Sequence, residues 1–373
     1  MLLSVCIVLL AQAVFAQQYF LFTGTYTTGT SEGIYVYRFD ANTGAISPAD
    51  TARAVKQPSY LTLSADGNFL YAVNETGGNA PGQISAFSFN KATGKLQFLN
   101  KRPSFGDYPC YITVSNNRKW VIAGNYGGGN FVAYAVNEDG SLSDNYQMIQ
   151  HQGKGPNPSR QEASHVHSTV FSPDQRHLLV SDLGTDKVTV YRFNENAASN
   201  PIAPVPAHVA STIGGSGPRH LEFHPNGKWV YLMEELSGYV SAWKYRKGKL
   251  TSFHRSDAHQ ADYKGDHGSA DIHISADGKH LYASNRYQAN NLTIFNINRK
   301  SGQITPIAYQ DVLGNKPRNF IIEPSGKFVL VANQESNDVR IFRRNPATGL
   351  LTPTETMLSV GNPVCLKLLK ISN

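Results

Sequence analysis

The sequence predicts an all-β protein, a seven-bladed propeller with four antiparallel strands per blade. Three observations predict it: one phrase recurs seven times at spacings of 46 to 57 residues, the content is strand-forming, and each chain end holds only part of a blade. Of 373 residues, 40% are hydrophobic and 16% charged, too apolar a chain for disorder. The 32 Gly and 19 Pro form turns, and the 18 Phe, 19 Tyr and 3 Trp favour strands. An all-α fold is excluded.

Residues 1–16 read MLLSVCIVLLAQAVFA, an apolar run ending in Val14-Phe15-Ala16, with small residues where a signal peptidase cuts. They are expected to be a cleaved secretory signal, placing the protein in the periplasm or outside the cell; an uncleaved segment would leave it cytoplasmic. The run is shorter than the ~20 residues a membrane span needs. Residues 17–373 are expected to form one propeller domain.

From Tyr19, the segments YFLFTGTYT, GIYVYRF and AISPADTAR supply a second, third and fourth strand with no first. The repeats begin at Pro58, Pro109, Val166, Pro218, Ser269, Pro317 and Pro363, and the last stops after its first strand. The two ends therefore complete one blade, which closes the ring and removes its open edge. Inside the copies, Asp66-Gly67, Asn226-Gly227, Asp277-Gly278 and Ser325-Gly326 mark tight two-residue hairpins between first and second strands. Third strands alternate apolar and polar residues, as in GQISAFSF from Gly82 and DVRIFRR from Asp338. A second Gly turn, Thr43-Gly44 in one copy and Ser301-Gly302 in another, leads to each fourth strand.

The net charge of +7 comes from scattered Lys and Arg without a basic run, which argues against nucleic-acid binding. With Cys6 in the signal, Cys110 and Cys365 are too few for a disulfide framework and are expected to be buried thiols.

Each first strand starts, and each second strand ends, on one rim near the central channel. That rim collects Asn74, Glu75, Asn125, Tyr126, His167, Asp182, Arg219, Glu235, Asn285, Arg286, Arg318 and Asn333. Arg219 and Glu235 should face each other across a hairpin, with His167 and Arg286 one copy to either side. Two guanidinium groups, a carboxylate and an imidazole converging there suit attack on an ester carbonyl of an anionic substrate. A plain ion pair pinning the blade is the competing reading of Arg219 and Glu235. An insertion from His151 to Ser168 enters from the same rim and is expected to overhang the pocket, aiming Lys154 and Arg160 at the ligand. The stretch from Ser256 should bring His259, Lys264, Asp266 and His267 nearby.

Three further signals are weak. His165 and His167 lack a third metal ligand at fixed spacing, so no metal or other cofactor is expected. NYGGGN at Asn125 opens no helix, so it is not a phosphate loop. Ser168 and Ser269 lie in no nucleophile elbow.

The runs NPSRQEASHVHS, VSDLGTDKV from Val180, GPRHLEFHPNGKWVYLMEEL from Gly217 and SADIHISADGKHLYASNR from Ser269 resemble the seven-bladed propeller lactonases. That family holds propeller-type 6-phosphogluconolactonases and their relatives, the 3-carboxy-cis,cis-muconate lactonizing enzymes. The resemblance implies metal-independent opening or closing of a small-molecule lactone. It assigns catalysis to His167, Arg219, Glu235 and Arg286, with His165 the alternative imidazole. His165, Arg160, Lys154, Asn125, Tyr126, Asp182 and Asn285 are the expected substrate contacts. Because the cytosolic relatives use a phosphorylated sugar lactone, an exported protein could instead take an unphosphorylated aldonolactone. A non-catalytic propeller binding a glycan, peptide or protein on the same rim is the alternative function.

Overall fold

The computed structural model describes residues 17–371; the expected signal segment lies outside the described residues. Seven four-stranded antiparallel sheets make up the molecule. Blades 1 to 7 are numbered from the copy at Pro58. In blade 7 the innermost strand, Pro363–Lys370, pairs with Gln18–Thr25, which continues through Gly33–Asp40 to Ile46–Arg53. The ring thus closes through both chain ends, as the split repeat predicts. Second strands such as Phe69–Asn74 and Phe328–Asn333 are buried along their whole length, because each is covered by blades on both faces.

Neighbouring blades are fastened by a recurring clasp. Tyr71, Tyr231 and Tyr282, each on a second strand, donate from the phenol to the carbonyls of Gly140 (3.0 Å), Gly302 (2.8 Å) and Gly349 (2.6 Å) in the next blade. These glycines have φ between 76° and 86° and lie flat against the aromatic ring that opens the neighbouring second strand. A Cβ on Gly140 would fall 2.0 Å from the Phe69 ring, so the turn needs glycine for both conformation and clearance. Blade 3 has no such turn; a longer connection precedes its outer strand, His208–Ser211.

The first-to-second-strand hairpins differ from expectation. In blade 1 Gly67 N donates to Ser64 O (2.8 Å) and Ser64 N to Phe69 O (3.0 Å), so Ala65 to Asn68 form the loop. The reason is side-chain chemistry: Ser64 Oγ donates to Asp66 Oδ1 (2.5 Å), which also accepts from Asn68 N (3.1 Å), and these bonds replace the tight turn. Only the glycine is left-handed, and Arg118 and Gln175 adopt the same conformation in blades 2 and 3, at φ 61° and 56°.

Candidate active site

Two positions in the repeat build the site. The first is the second residue of an innermost strand: Cys110, His167, Arg219 and Arg318. The second is the residue just past the end of a second strand: Tyr26, Glu75, Tyr126, Glu235, Arg286 and Gln334. Most of these line one cup of about 450 Å³ at the channel mouth, together with Arg160, Tyr287 and Lys316. Arg219 is bonded to Glu235 and lines a smaller adjoining space that shares Glu75, Cys110 and Arg318 with the cup.

Alternation of side chains explains which residue of each polar pair reaches the cup. The last strand residue turns into its own blade. Asn125 donates from Nδ2 to Ser104 O (2.8 Å) and Asn130 Oδ1, while Asn285 donates to Ala258 O (2.8 Å) and accepts from Ser269 Oγ (2.6 Å). Asp182 accepts from Ser164 Oγ (2.6 Å), His165 N (2.8 Å) and Gly184 N (3.1 Å), and lies 3.0 Å from His151 Nδ1. Asn125, Asn285 and Asp182, expected as substrate contacts, are therefore turned into the blades and do not line the cup; Asn125 keeps one buried oxygen, Oδ1, without a partner among the described residues.

Glu235 is the hub, 4% exposed. Arg219 Nε donates to its Oε2 (2.9 Å) and Arg160 Nη2 to its Oε1 (2.8 Å); Arg286 Nη2 lies 3.2 Å from Oε1 and His167 Nε2 3.7 Å from Oε2. The other three residues expected for catalysis, His167, Arg219 and Arg286, thus converge on the Glu235 carboxylate. Arg286 Nε is fixed on Gly268 O (2.6 Å), whereas its buried Nη2 has no aligned acceptor among the described residues.

Burial alone would raise the Glu235 pKa, but Arg286, Arg219, His167 and Arg160 outweigh it and hold the carboxyl well below the usual range. His167 is driven well below the ordinary imidazole value by burial and then by Arg219, so it is neutral. A neutral imidazole facing a carboxylate keeps its proton on the facing nitrogen, here Nε2. Burial, and then the neighbouring Arg286 and Arg318, lower Arg219 to about 10 despite Glu235. Cys110 Sγ lies 3.6 Å from His167 Nδ1, and its thiol is raised by burial, so it is inert. Cys110 and Cys365 are both buried and unbridged.

The insertion overhangs the cup through Arg160, which also donates to the Tyr126 hydroxyl (3.2 Å). Gln161 locks the loop by donating to Leu183 O (2.8 Å) and accepting from Asn157 N (3.1 Å). Lys154 is exposed and does not reach the cup. His165 stands behind the wall: it stacks on Tyr126 at 4.4 Å, with Nδ1 2.8 Å from Tyr126 O and Nε2 3.2 Å from Glu162. His259, Lys264, Asp266 and His267 lie outside the cup; His259 stacks on Tyr263 at 4.5 Å and meets His267 at 4.6 Å. Sequence reasoning missed Tyr26, Tyr287, Lys316 and Gln334, and Tyr287 and Lys316 carry no mark in the repeat pattern that singles them out as cup residues. For Tyr26 and Gln334 a signal was there, since each follows the end of a second strand as Glu235 does.

The profile of the family described as lactonase, 7-bladed beta-propeller, matches residues 20–368. The 6-phosphogluconolactonase of Bacillus subtilis is 32% identical over 94% of this chain and 99% of its own. That of Formosa agariphila is 35% identical over 95% and 100%. The solved structure of the periplasmic gluconolactonase of Pseudomonas aeruginosa superposes with a TM-score of 0.89 at 36% identity, covering 95% of this chain and 100% of the other.

Proposed function

This chain belongs to the seven-bladed β-propeller lactonase family and is a lactone hydrolase, and we propose that the ring it opens is a sugar-type lactone held in the Glu235 cup. The observation that carries this reading is the convergence of Arg219, Arg286 and His167 on one buried carboxylate. Around the cup and the space beneath it, Arg160, Arg219, Arg286 and Arg318 meet only Glu75 and Glu235, while Lys316 is paired with Glu335 (2.8 Å); the cationic surplus favours an anionic or polyhydroxylated substrate.

In this mechanism the lactone carbonyl oxygen approaches the guanidiniums of Arg286 and Arg219. Both stabilise the oxyanion as water adds to the acyl carbon. Of the four residues proposed for catalysis, Glu235 and His167 are the two able to accept the water's proton. Yet a carboxylate held far below its usual pKa by three guanidiniums is a weak base. Glu235 serves instead to aim the arginines, and the Nε2 hydrogen of His167 bonds the ring oxygen.

The relative in Pseudomonas aeruginosa is periplasmic, and with the apolar opening segment it supports export of this chain. Outside the cytoplasm an unphosphorylated aldonolactone is the favoured substrate. A pH-stat panel of gluconolactone, galactonolactone and 6-phosphogluconolactone tests this reading. Turnover of at least one is expected, with the unphosphorylated rings preferred; acid release no faster than the uncatalysed rate on all three would refute it.

A further inference from the structure

Below the cup the channel narrows to a chamber of about 10 Å³, lined by Ser59, Glu75, Arg219, His220 and Arg318 among others. Glu75, Cys110 and Arg318 line both spaces, so the chamber opens into the cup from beneath. A water needs roughly 10–15 Å³ measured this way and two to four polar partners. The chamber therefore has room for one water.

One wall carries an unanswered acceptor. His220 is 4% exposed, and its Nδ1 lies 2.7 Å from Asp271 Oδ1. Its protonated nitrogen faces that carboxylate, leaving a lone pair on Nε2, which has no partner among the described residues. The rings of Tyr60, Tyr111 and His167 pack edge-on at 5.2 to 5.6 Å and hold the imidazole in place.

Another wall carries a carboxylate with spare capacity. Glu75 Oε2 accepts from the Tyr26 hydroxyl (2.9 Å) and from Ser59 Oγ. Its Oε1 accepts nothing among the described residues, and Glu75 forms no ion pair there. Glu235 differs in having both oxygens occupied by guanidiniums.

We propose that the attacking water lodges in this chamber between His220 Nε2 and Glu75, and that Glu75 is the base that takes its proton. The inference rests on the lactonase reading and adds to it a catalytic residue, Glu75, and a positioning residue, His220. The water oxygen bonds to the acyl carbon while one of its protons passes to Glu75 Oε1. As the tetrahedral intermediate collapses, the acyl carbon to ring oxygen bond breaks and Glu75 returns that proton to the ring oxygen. The acid product then ionises and releases one proton to solvent.

The test compares wild type, Glu75→Gln and His220→Gln on gluconolactone, with water and with hydroxylamine as nucleophile. Hydroxylamine attacks as a neutral amine and needs no base at the first step. Glu75→Gln is expected to lose about 100-fold or more in kcat for hydrolysis, typical of a lost general base, with KM and thermal midpoint little changed and hydroxylaminolysis retained. His220→Gln should lose about tenfold in hydrolysis alone. Glu75→Gln hydrolysing within threefold of wild type, or losing both reactions equally, would overturn the assignment while leaving the lactonase reading intact. Absence of wild-type turnover would overturn both.

Discussion

Replacing Glu235 by Gln removes one charge and leaves three guanidiniums facing one another. Arg219 and Arg286 are 1% and 4% exposed, so water cannot replace what they lose. Breaking a buried pair by removing one partner costs about 3–5 kcal/mol. For 373 residues the unfolding entropy is about 0.8 kcal/mol/K, which converts that loss into a midpoint fall of roughly 4–6 °C. The pH dependence has a definite sign. A carboxyl with a depressed folded-state pKa contributes its full stability above its unfolded value, 4.5, and loses it progressively as pH falls from there through the lower folded value. The gap between wild type and Glu235→Gln, followed by calorimetry from pH 8 to pH 3, should therefore be constant down to about 4.5 and close in more acidic buffer. A variant within 1 °C of wild type at pH 7, or a gap that opens on acidification, would refute the hub role.

Arg219→Ala should lower kcat about 100- to 1,000-fold, the usual loss for one oxyanion donor, under saturating lactone; near wild-type turnover would remove Arg219 from the mechanism. Deletion of Pro363–Asn373 takes away the innermost strand of blade 7, and the product should be aggregated; a soluble, cooperatively melting truncation would contradict the ring closure. His273 lies 3.1 Å from Asp271 and 2.8 Å from Glu222, and although burial lowers its pKa the two carboxylates raise it to about 10. Its stabilising effect is full below 6.5 and lost as pH rises through 10, so the midpoint advantage over His273→Gln should shrink across that interval. An advantage that grows with pH would exclude a charged His273.

The ring and its closure were legible because a blade repeats its apolar alternation seven times, and the strands at the two ends can only complete each other. The convergence of the four residues proposed for catalysis was legible for a related reason: equivalent positions in successive repeats fall at equal heights around one axis, which brings His167, Arg219, Glu235 and Arg286 together. What the repeat hid was orientation at the rim. Asn125, Asp182 and Asn285 stand one residue before cup residues or, for Asp182, before Leu183, and the last pleat of the strand turns them inward. Sequence pattern alone does not say which of two polar neighbours is the last. His165 is removed from the cup for a different reason: it precedes the strand that begins at Val166, so pleat alternation does not fix it, and its ring stacks behind Tyr126. Lys154 illustrates another limit, since an irregular loop carries no period from which to read direction. The chamber under the cup was beyond sequence altogether, because a bulge between Pro218 and Leu221 turns His220 to the channel beside Arg219.

The most direct measurement is a crystal structure of the protein soaked with gluconate, the ring-opened product of gluconolactone. Its carboxylate is expected between the guanidiniums of Arg219 and Arg286, with an oxygen over the mouth of the Glu75 chamber. Gluconate bound only at the opposite end of the channel, among Tyr60, Tyr111 and His273, would contradict the placement of the reaction in the Glu235 cup.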